Sequence, residues 1–312
     1  MKTLVVKTHA FGDSLLATPA VGGLVRNGDR VTVLAGPSSL PVWERFPGLA
    51  GVVLSPVPCS LPKLLRWSAS HMQRDFDRVI HLGTSPGAVR WLRALTGKKV
   101  SSGISHGKCF RSELTAAAEY CRISEVECID LKPVFQVYPN ERVAAELLTG
   151  DKPYVVLAPG GARNVRDFVP EKRWPMSRWN DVSLYLQGKG FQVFLAGGTA
   201  DREELSVMSG VNLAGRLTWG ETAALLEGAF LFAGNDSGPA HLAVAEGTKT
   251  LVLFGPTASH TLYERGSIVA VSGTASCSPC YANSVFPGCS GEGNCMATIC
   301  TESVLKALEG ML

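Results

Sequence analysis

An α/β fold of two tandem doubly wound domains is predicted by three observations. Short apolar runs rich in Val, Leu and Phe alternate with amphipathic stretches, as parallel strands alternate with crossover helices. The alternation occurs in both halves of the chain, and the two halves are alike in kind. The 312 residues suit about two domains, and a composition 46% hydrophobic and 18% charged is that of a globular protein, which excludes fibrous and disordered classes.

In the first half, strands are expected at Thr3–Lys7, Val31–Ala35, Val52–Leu54 and Arg78–Leu82, with a helix from about Ser14 to Arg26 after the first. In the second half they are expected at Tyr154–Ala158, Phe191–Ala196, Phe230–Gly234 and Thr250–Phe254, with helices near Ser177–Gln187, Asp201–Ser209, Gly220–Glu227 and Pro239–Glu246. Between the halves, a helical pattern from Glu141 to Leu148 is ended by Gly150, and Pro153 stands just before a new strand. That punctuation sets a first domain of residues 1–148 and a second of 149–300. A terminal segment, 301–312, carries a last helix from Glu302.

Charge is uneven. Residues 1–150 hold 18 basic against 12 acidic side chains and residues 151–312 hold 12 against 15, so the halves carry +6 and −3. The positive half suits an acidic partner, yet its basic residues are spread rather than run together, so no nucleic-acid partner is expected. No apolar run approaches the roughly 18 to 20 residues that cross a bilayer. Met1 to Lys7 lacks the apolar core of a signal peptide, which predicts a cytoplasmic protein. Nine cysteines, five of them from Cys277 to Cys300, do not read as a secreted disulfide framework.

Open parallel sheets bind ligands beyond the carboxyl ends of their strands, and two such domains would face one another across a cleft. The dinucleotide and P-loop glycine fingerprints are both missing. Four other loops at strand ends carry polar chemistry. His9-Ala10-Phe11-Gly12-Asp13-Ser14 places a tight turn and a carboxylate at a helix start, where Asp13 is either a cap or a cleft residue. Pro159-Gly160-Gly161, followed by Lys172 and Arg173, offers close backbone approach and positive charge to an anion, or else a solvated basic pair. Gly234 to His241 enters a helix through Ser237, Gly238 and Pro239. Its first N–H groups and dipole would hold an anion, with Asp236 and His241 beside it, unless Asp236 only caps and His241 only packs. Gly197 to Asp201, including Thr199, and Phe254 to Thr257 complete the ring.

Gly12-Asp13 with Leu15, Pro19 and Ala20, then Pro159-Gly160, Lys172-Arg173-Trp174-Pro175, Gly197-Gly198, Asn212-Leu213-Ala214-Gly215, Asn235 to Ala243 and Phe254-Gly255-Pro256-Thr257 resemble glycosyltransferase family 9, the ADP-heptose:lipopolysaccharide heptosyltransferases. The resemblance runs in order from Lys2 to about Val304, and its Asp-Ser-Gly-Pro-x-His-Leu-Ala and Lys-Arg-Trp-Pro blocks are the specific ones. It implies a GT-B fold, with an ADP-activated sugar donor on the C-terminal domain and a polyanionic glycolipid acceptor on the N-terminal one. It further implies metal-independent, inverting transfer of heptose to the Kdo-containing inner core of lipid A at the cytoplasmic face of the inner membrane, with no cofactor required. Asp13 would be the general base, with Gly12 and Ser14 near the acceptor. Lys172 would neutralise the departing diphosphate. Gly160, Gly161, Arg173, Thr199, Asp201, Asp236, Ser237, Gly238, His241 and Thr257 would bind the donor. The resemblance leaves the stretch from Arg163 to Pro170, with Asn164 and Arg166, longer than in the simplest members, and it does not reach the loops between Leu54 and Ser112. Another GT-B activity with a different nucleotide sugar, or a non-catalytic sugar-nucleotide-binding protein, are the alternative readings.

Cys277, Cys280, Cys289 and Cys295 are spaced C-x2-C, eight residues, C, five residues, C, a pattern that could supply four thiolates to a structural zinc or iron–sulfur site. Free thiols and redox-dependent disulfides are the other uses. In each case the segment is expected to pin the last helix back across the two domains, the helix packing on the N-terminal one.

Overall fold

The computed structural model describes residues 1–55, 75–83, 85–103, 114–161, 168–263, 266–280, 287–289 and 295–312. Arg163, Asn164 and Arg166 lie outside the described residues, as do residues 56–74, 84 and 104–111 of the loops between Leu54 and Ser112. The chain divides into two compact units, Met1–Val134 and Phe135–Leu312.

The first unit holds β1 (Lys2–Lys7), β2 (Arg30–Ala35), β3 (Gly51–Leu54), β4 (Arg78–His81) and β5 (Val100–Ser102), all paired parallel in the order β3-β2-β1-β4-β5. Leu4, Val5 and Val6 are buried at the middle of the sheet, which is why β1 reads as a continuous apolar run. Its helices are α1 (Phe11–Arg26), the short α2 (Leu40–Trp43), α3 (Pro86–Thr96) and α4 (Ala116–Ser124). Pro19 lies inside α1 and offers no N–H to the Leu15 carbonyl. The Thr18 hydroxyl donates to that carbonyl instead (2.6 Å) and accepts the Val134 N–H (2.8 Å), which ties the end of the unit to α1. A disulfide joins Cys121 to Cys128, their Cα atoms 6.2 Å apart, across the turn that ends α4, whereas the spacing of the sequence draws attention only to Cys277 to Cys300.

The second unit holds β6 (Tyr154–Ala158), β7 (Gln192–Leu195), β8 (Val211–Asn212), β9 (Leu231–Asn235), β10 (Thr250–Phe254) and β11 (Val269–Ser272), again all parallel, in the order β11-β10-β9-β6-β7-β8. Its helices are α5 (Pro139–Thr149), α6 (Met176–Gly188), α7 (Arg202–Leu205), α8 (Trp219–Glu227), α9 (Gly238–Glu246) and α10 (Thr301–Glu309).

Two expectations about domains are corrected. The division falls at 134/135 and not at 148/149, because α5 packs on α8 and Arg142 forks onto Glu227 at 2.6 and 2.9 Å. The last helix, expected on the N-terminal domain, belongs to the second unit. Val304 and Leu308, one turn apart on α10, are buried in the second unit's own core with Trp179 and Leu186. The segment before α10 is held there too: Trp174 Nε1 donates to Ile299 O (2.9 Å), and Arg178 Nη1 to Ala297 O (2.8 Å) and Ile299 O (2.5 Å).

Candidate functional site

In a doubly wound sheet the strand order reverses at one point, and the crevice beyond the carboxyl ends there is the natural ligand site. In the second unit it lies between β6 and β9, whose exits are Pro159-Gly160-Gly161 and Asp236-Ser237-Gly238. In the first unit it lies between β1 and β4, whose exits carry Thr8 to Asp13 and Leu82-Gly83.

Asn235, the buried last residue of β9, joins three loops of the second unit. Its Nδ2 donates to Pro159 O (2.6 Å) and Gly160 O (3.3 Å), and its Oδ1 accepts the Trp174 N–H (3.3 Å). The next residue, Asp236, thereby meets Lys172, which ends the 3-10 turn Pro170–Lys172, with Nζ 2.5 Å from Oδ2. Burial alone would raise the Asp236 carboxyl. The Lys172 ammonium, nearby His241 and the Thr257 side chain outweigh it and hold the group below the ordinary carboxylate value. Asp236 is therefore an anion at neutral pH. His241 sits one helical turn inside α9, its Nε2 3.9 Å from Asp236 Oδ1, and its ring is stacked on Tyr263 at 5.1 Å.

Arg173, one residue after Lys172, is used differently. Its guanidinium donates to Gly161 O (3.0 Å) and Glu204 (2.5 Å), and pairs with buried Asp201. Asp201 in turn accepts the Gly198 N–H (2.9 Å). The carboxylate packs so closely under the loop that a Cβ on Gly160 would come 2.5 Å from its Cγ. Gly161 has φ +89° and would place a Cβ 2.9 Å from Ser237 Cβ, so both glycines are dictated by close approach. Arg173 and Asp201 thus brace the loops from beneath, while Thr199 is exposed on the turn that leads into Asp201.

Ser237 precedes α9 in an extended conformation, and its hydroxyl turns back to Asn235 O (3.1 Å) rather than capping the helix. The Ala240 N–H is taken by Ser237 O (3.1 Å), and Pro239 has none. Among the described residues the N–H groups of Ser237 and Gly238 have no protein acceptor, so the anion-binding end expected from Ser237 to Ala240 narrows to these two.

In the first unit, β1 ends on Lys7, a lysine only 5% exposed, with Nζ 3.9 Å from Asp13 Oδ2 and 5.2 Å from the centre of the Tyr120 ring. Burial lowers the Lys7 pKa, and Asp13 acts in the opposite sense. Asp13 lies in the first turn of α1 with a side chain 44% exposed, and no side chain caps that helix. Of the two sequence readings of Asp13, the cap finds no hydrogen bond to support it. The turn into α1 is strained, since Ala10 has φ +26°. His81, at the end of β4, is buried, and burial with Lys7 and His9 nearby pushes its imidazole down to about 4. Gly12 and Ser14 are buried, and the Ser14 hydroxyl donates to Ala10 O (2.8 Å).

Gly160, Gly161, Lys172, Asp236, Ser237, Gly238, His241 and Thr257 therefore gather at one strand-end site, with Arg173 and Asp201 below it, and Asp13 stands at the other unit's switch point. Sequence reasoning missed Lys7, His81 and Tyr263 as site residues. A lysine closing an apolar parallel strand was the available signal for Lys7; for His81 and Tyr263 the single sequence holds none.

A family model described as glycosyltransferase family 9 (heptosyltransferase) matches residues 110–286, more than half of the chain. The chain belongs to glycosyltransferase family 9. Its matched stretch covers β6 to β11 and so holds the Lys172–Asp236 site of this family 9 chain. A lipooligosaccharide heptosyltransferase 2 of Haemophilus influenzae is 30% identical over 41% of this chain, and the match spans only 40% of that relative's own length. Among solved structures, Escherichia coli ADP-heptose LPS heptosyltransferase II matches with a TM-score of 0.74 at 19% identity, covering 100% of this chain and 98% of that one. An iron-containing dodecameric glycosyltransferase from enterotoxigenic E. coli matches with a TM-score of 0.68 at 16% identity, over 99% of this chain and 75% of that one. At these identities the likeness to solved structures is one of fold, and the fold is the GT-B type of α/β architecture.

Two of the clustered cysteines meet the loop that follows β10, where the Cys280 N–H donates to Pro256 O (2.8 Å). Cys295 is buried where a Cβ on Gly255 would come 2.7 Å from its Sγ. Burial, followed by Cys277 and Cys289, pushes the Cys280 thiol up; burial, with a further push from Cys280 and Cys277, raises Cys295. Among the described residues, no three His, Cys, Asp or Glu side chains are arranged to hold a metal ion.

Proposed function

We propose that this protein is an inverting glycosyltransferase that moves heptose from ADP-heptose to the Kdo/heptose inner core of lipopolysaccharide. The observation that carries the reading is the Lys172–Asp236 pair, its carboxylate buried, set beside the open N–H groups of Ser237 and Gly238, at the switch point of a family 9 second unit. A diphosphate needs positive charge and aimed N–H donors, and both are held by rigid strand ends. The sugar next to it needs a carboxylate that accepts hydroxyl hydrogen bonds, which Asp236 provides.

In the proposed step, Asp13 takes the proton of the acceptor hydroxyl as its oxygen bonds to the anomeric carbon from the face opposite ADP. The bond from that carbon to the diphosphate breaks, and ADP leaves with the electron pair. Lys172 and the two N–H groups balance the charge that develops on it, and one displacement inverts the anomeric centre. The +6 charge of residues 1–150 supports a polyanionic glycolipid acceptor, and no nucleic acid. No helix among the described residues is long and apolar enough to cross a membrane, so such an acceptor would be met by peripheral contact with the cytoplasmic face of the inner membrane.

No cofactor enters this step. Cys277, Cys280, Cys289 and Cys295 are proposed as a structural group that fixes the entry to α10; the push of neighbouring cysteines on the Cys280 and Cys295 thiols supports the proposal. Metal analysis of anaerobically purified protein distinguishes a thiolate-bound zinc or iron from free thiols.

The reading is tested by incubating the protein with ADP-heptose and Kdo-lipid A and following ADP. Acceptor-dependent ADP release is expected. Release with another nucleotide sugar but not with ADP-heptose would move the assignment to another GT-B transferase, and binding without release would favour a sugar-nucleotide-binding protein.

A further inference from the structure

Tyr263 belongs to no motif of the family resemblance, yet it stands against the donor site. Its ring is stacked on His241 (5.1 Å between centroids, planes 23° apart) and meets Phe254, the last residue of β10, edge-on at 6.2 Å. The residue is only 5% exposed, and its hydroxyl has no hydrogen-bond partner among the described residues. A buried phenol left in that state costs free energy comparable to a lost hydrogen bond, so a partner is to be expected when the site is filled. Burial, with the Asp236 charge adding to it, keeps the phenol protonated far above neutral pH, so it can donate.

The groups around it decide what that partner is. Asp236 acts on the phenol and carries a full negative charge, the Thr257 hydroxyl lies beside Asp236, and the Asp236 oxygen turned to His241 is 3.9 Å from that ring. A phosphate would be repelled by the carboxylate; it is served instead by Lys172 and the α9 N–H groups. A polyhydroxylated ring suits the set, since each sugar hydroxyl can accept from one group and donate to another.

We infer that Tyr263 is a specificity-determining residue whose hydroxyl, with that of Thr257, engages a hydroxyl group of the transferred sugar rather than the nucleotide. This rests on the donor reading above. It predicts that the sugar and nucleotide parts of the donor respond separately to one oxygen atom.

The test is titration of wild-type protein and Tyr263→Phe with ADP and with ADP-heptose. Phenylalanine keeps the ring on His241 and removes only the hydroxyl. The expected result is an unchanged affinity for ADP and an affinity for ADP-heptose weaker by about five- to tenfold, the size of one neutral hydrogen bond. Thr257→Val, which keeps the side-chain volume, is expected to give the same selective loss and serves if Tyr263→Phe folds poorly. Equal affinities for ADP-heptose in the variants and wild type, or equal losses for both ligands, would overturn the assignment and leave a structural tyrosine or one bonded to buried water. Wild-type protein that binds neither ligand would overturn the donor reading, and this inference with it.

Discussion

Lys172 and Arg173 are adjacent cations with opposite fates. Lysine is a compact charge on a flexible stem and reaches one oxygen of Asp236, where a ligand anion can share it. Arginine has a planar fork, and here the fork is consumed by Gly161 O, Glu204 and Asp201. The sequence placed both residues at the donor, but only the side-chain geometry separates the charge that can meet a ligand from the one that braces a loop. Breaking a buried pair leaves its partner uncompensated, so Asp201→Ala is expected to lower the unfolding free energy by about 3 kcal/mol in urea titrations. Lys172→Ala is expected to weaken ADP binding and slow transfer together, because its charge acts in ground and transition states alike. Unchanged stability in the first variant would remove the brace. An unaltered ADP affinity in the second would send the diphosphate to another cation.

At the scale of elements, what was legible followed burial on two faces. The central strands β1, β2, β4, β6, β7, β9 and β10 are continuous apolar runs, and the sequence shows them within a residue or two. The strands left unread are β5, β8 and β11, each at the edge of its sheet. An edge strand need not be apolar throughout: β8 has two residues, and β11 is largely exposed. The second-unit site was legible because glycine, proline and polar residues cluster where those runs stop. Lys7 and His81 were hidden inside strands that otherwise read as core. His81, at the end of β4, also gives that strand a pH dependence. Its folded value of about 4 lies below the ordinary 6.5, so between these two pH values the unfolded chain binds more protons. Stability from this residue is complete above pH 6.5 and is lost as pH falls toward 4, by up to about 3 kcal/mol. His81→Gln should flatten that part of a stability profile measured by thermal denaturation. An identical slope in the variant would show that another group titrates there.

Over the whole molecule, the two units repeat one plan with different chemistry at the same topological point. Both sheets reverse order beside their first strand, and both present a carboxylate with a lysine there: Asp13 with Lys7, and Asp236 with Lys172. The Lys172–Asp236 pair is closely held, with Asp236 buried. Asp13 is half exposed, with its lysine farther off; in the proposed step it receives a proton and gives it up each turnover. The stoichiometry of zinc and iron in anaerobic protein bears on the same scale, since α10 and its cysteine segment are built into the second unit. One equivalent of metal per chain would make that segment a metal-fixed clasp, and sub-stoichiometric metal would leave it a segment of free thiols of which Cys295 is buried. The division of labour between the units is tested most directly by Asp13→Asn, measured for ADP-heptose affinity and for acceptor-dependent ADP release on the same preparation. Unchanged donor affinity with transfer slower by about a hundredfold or more is the predicted result; near-normal transfer would contradict it.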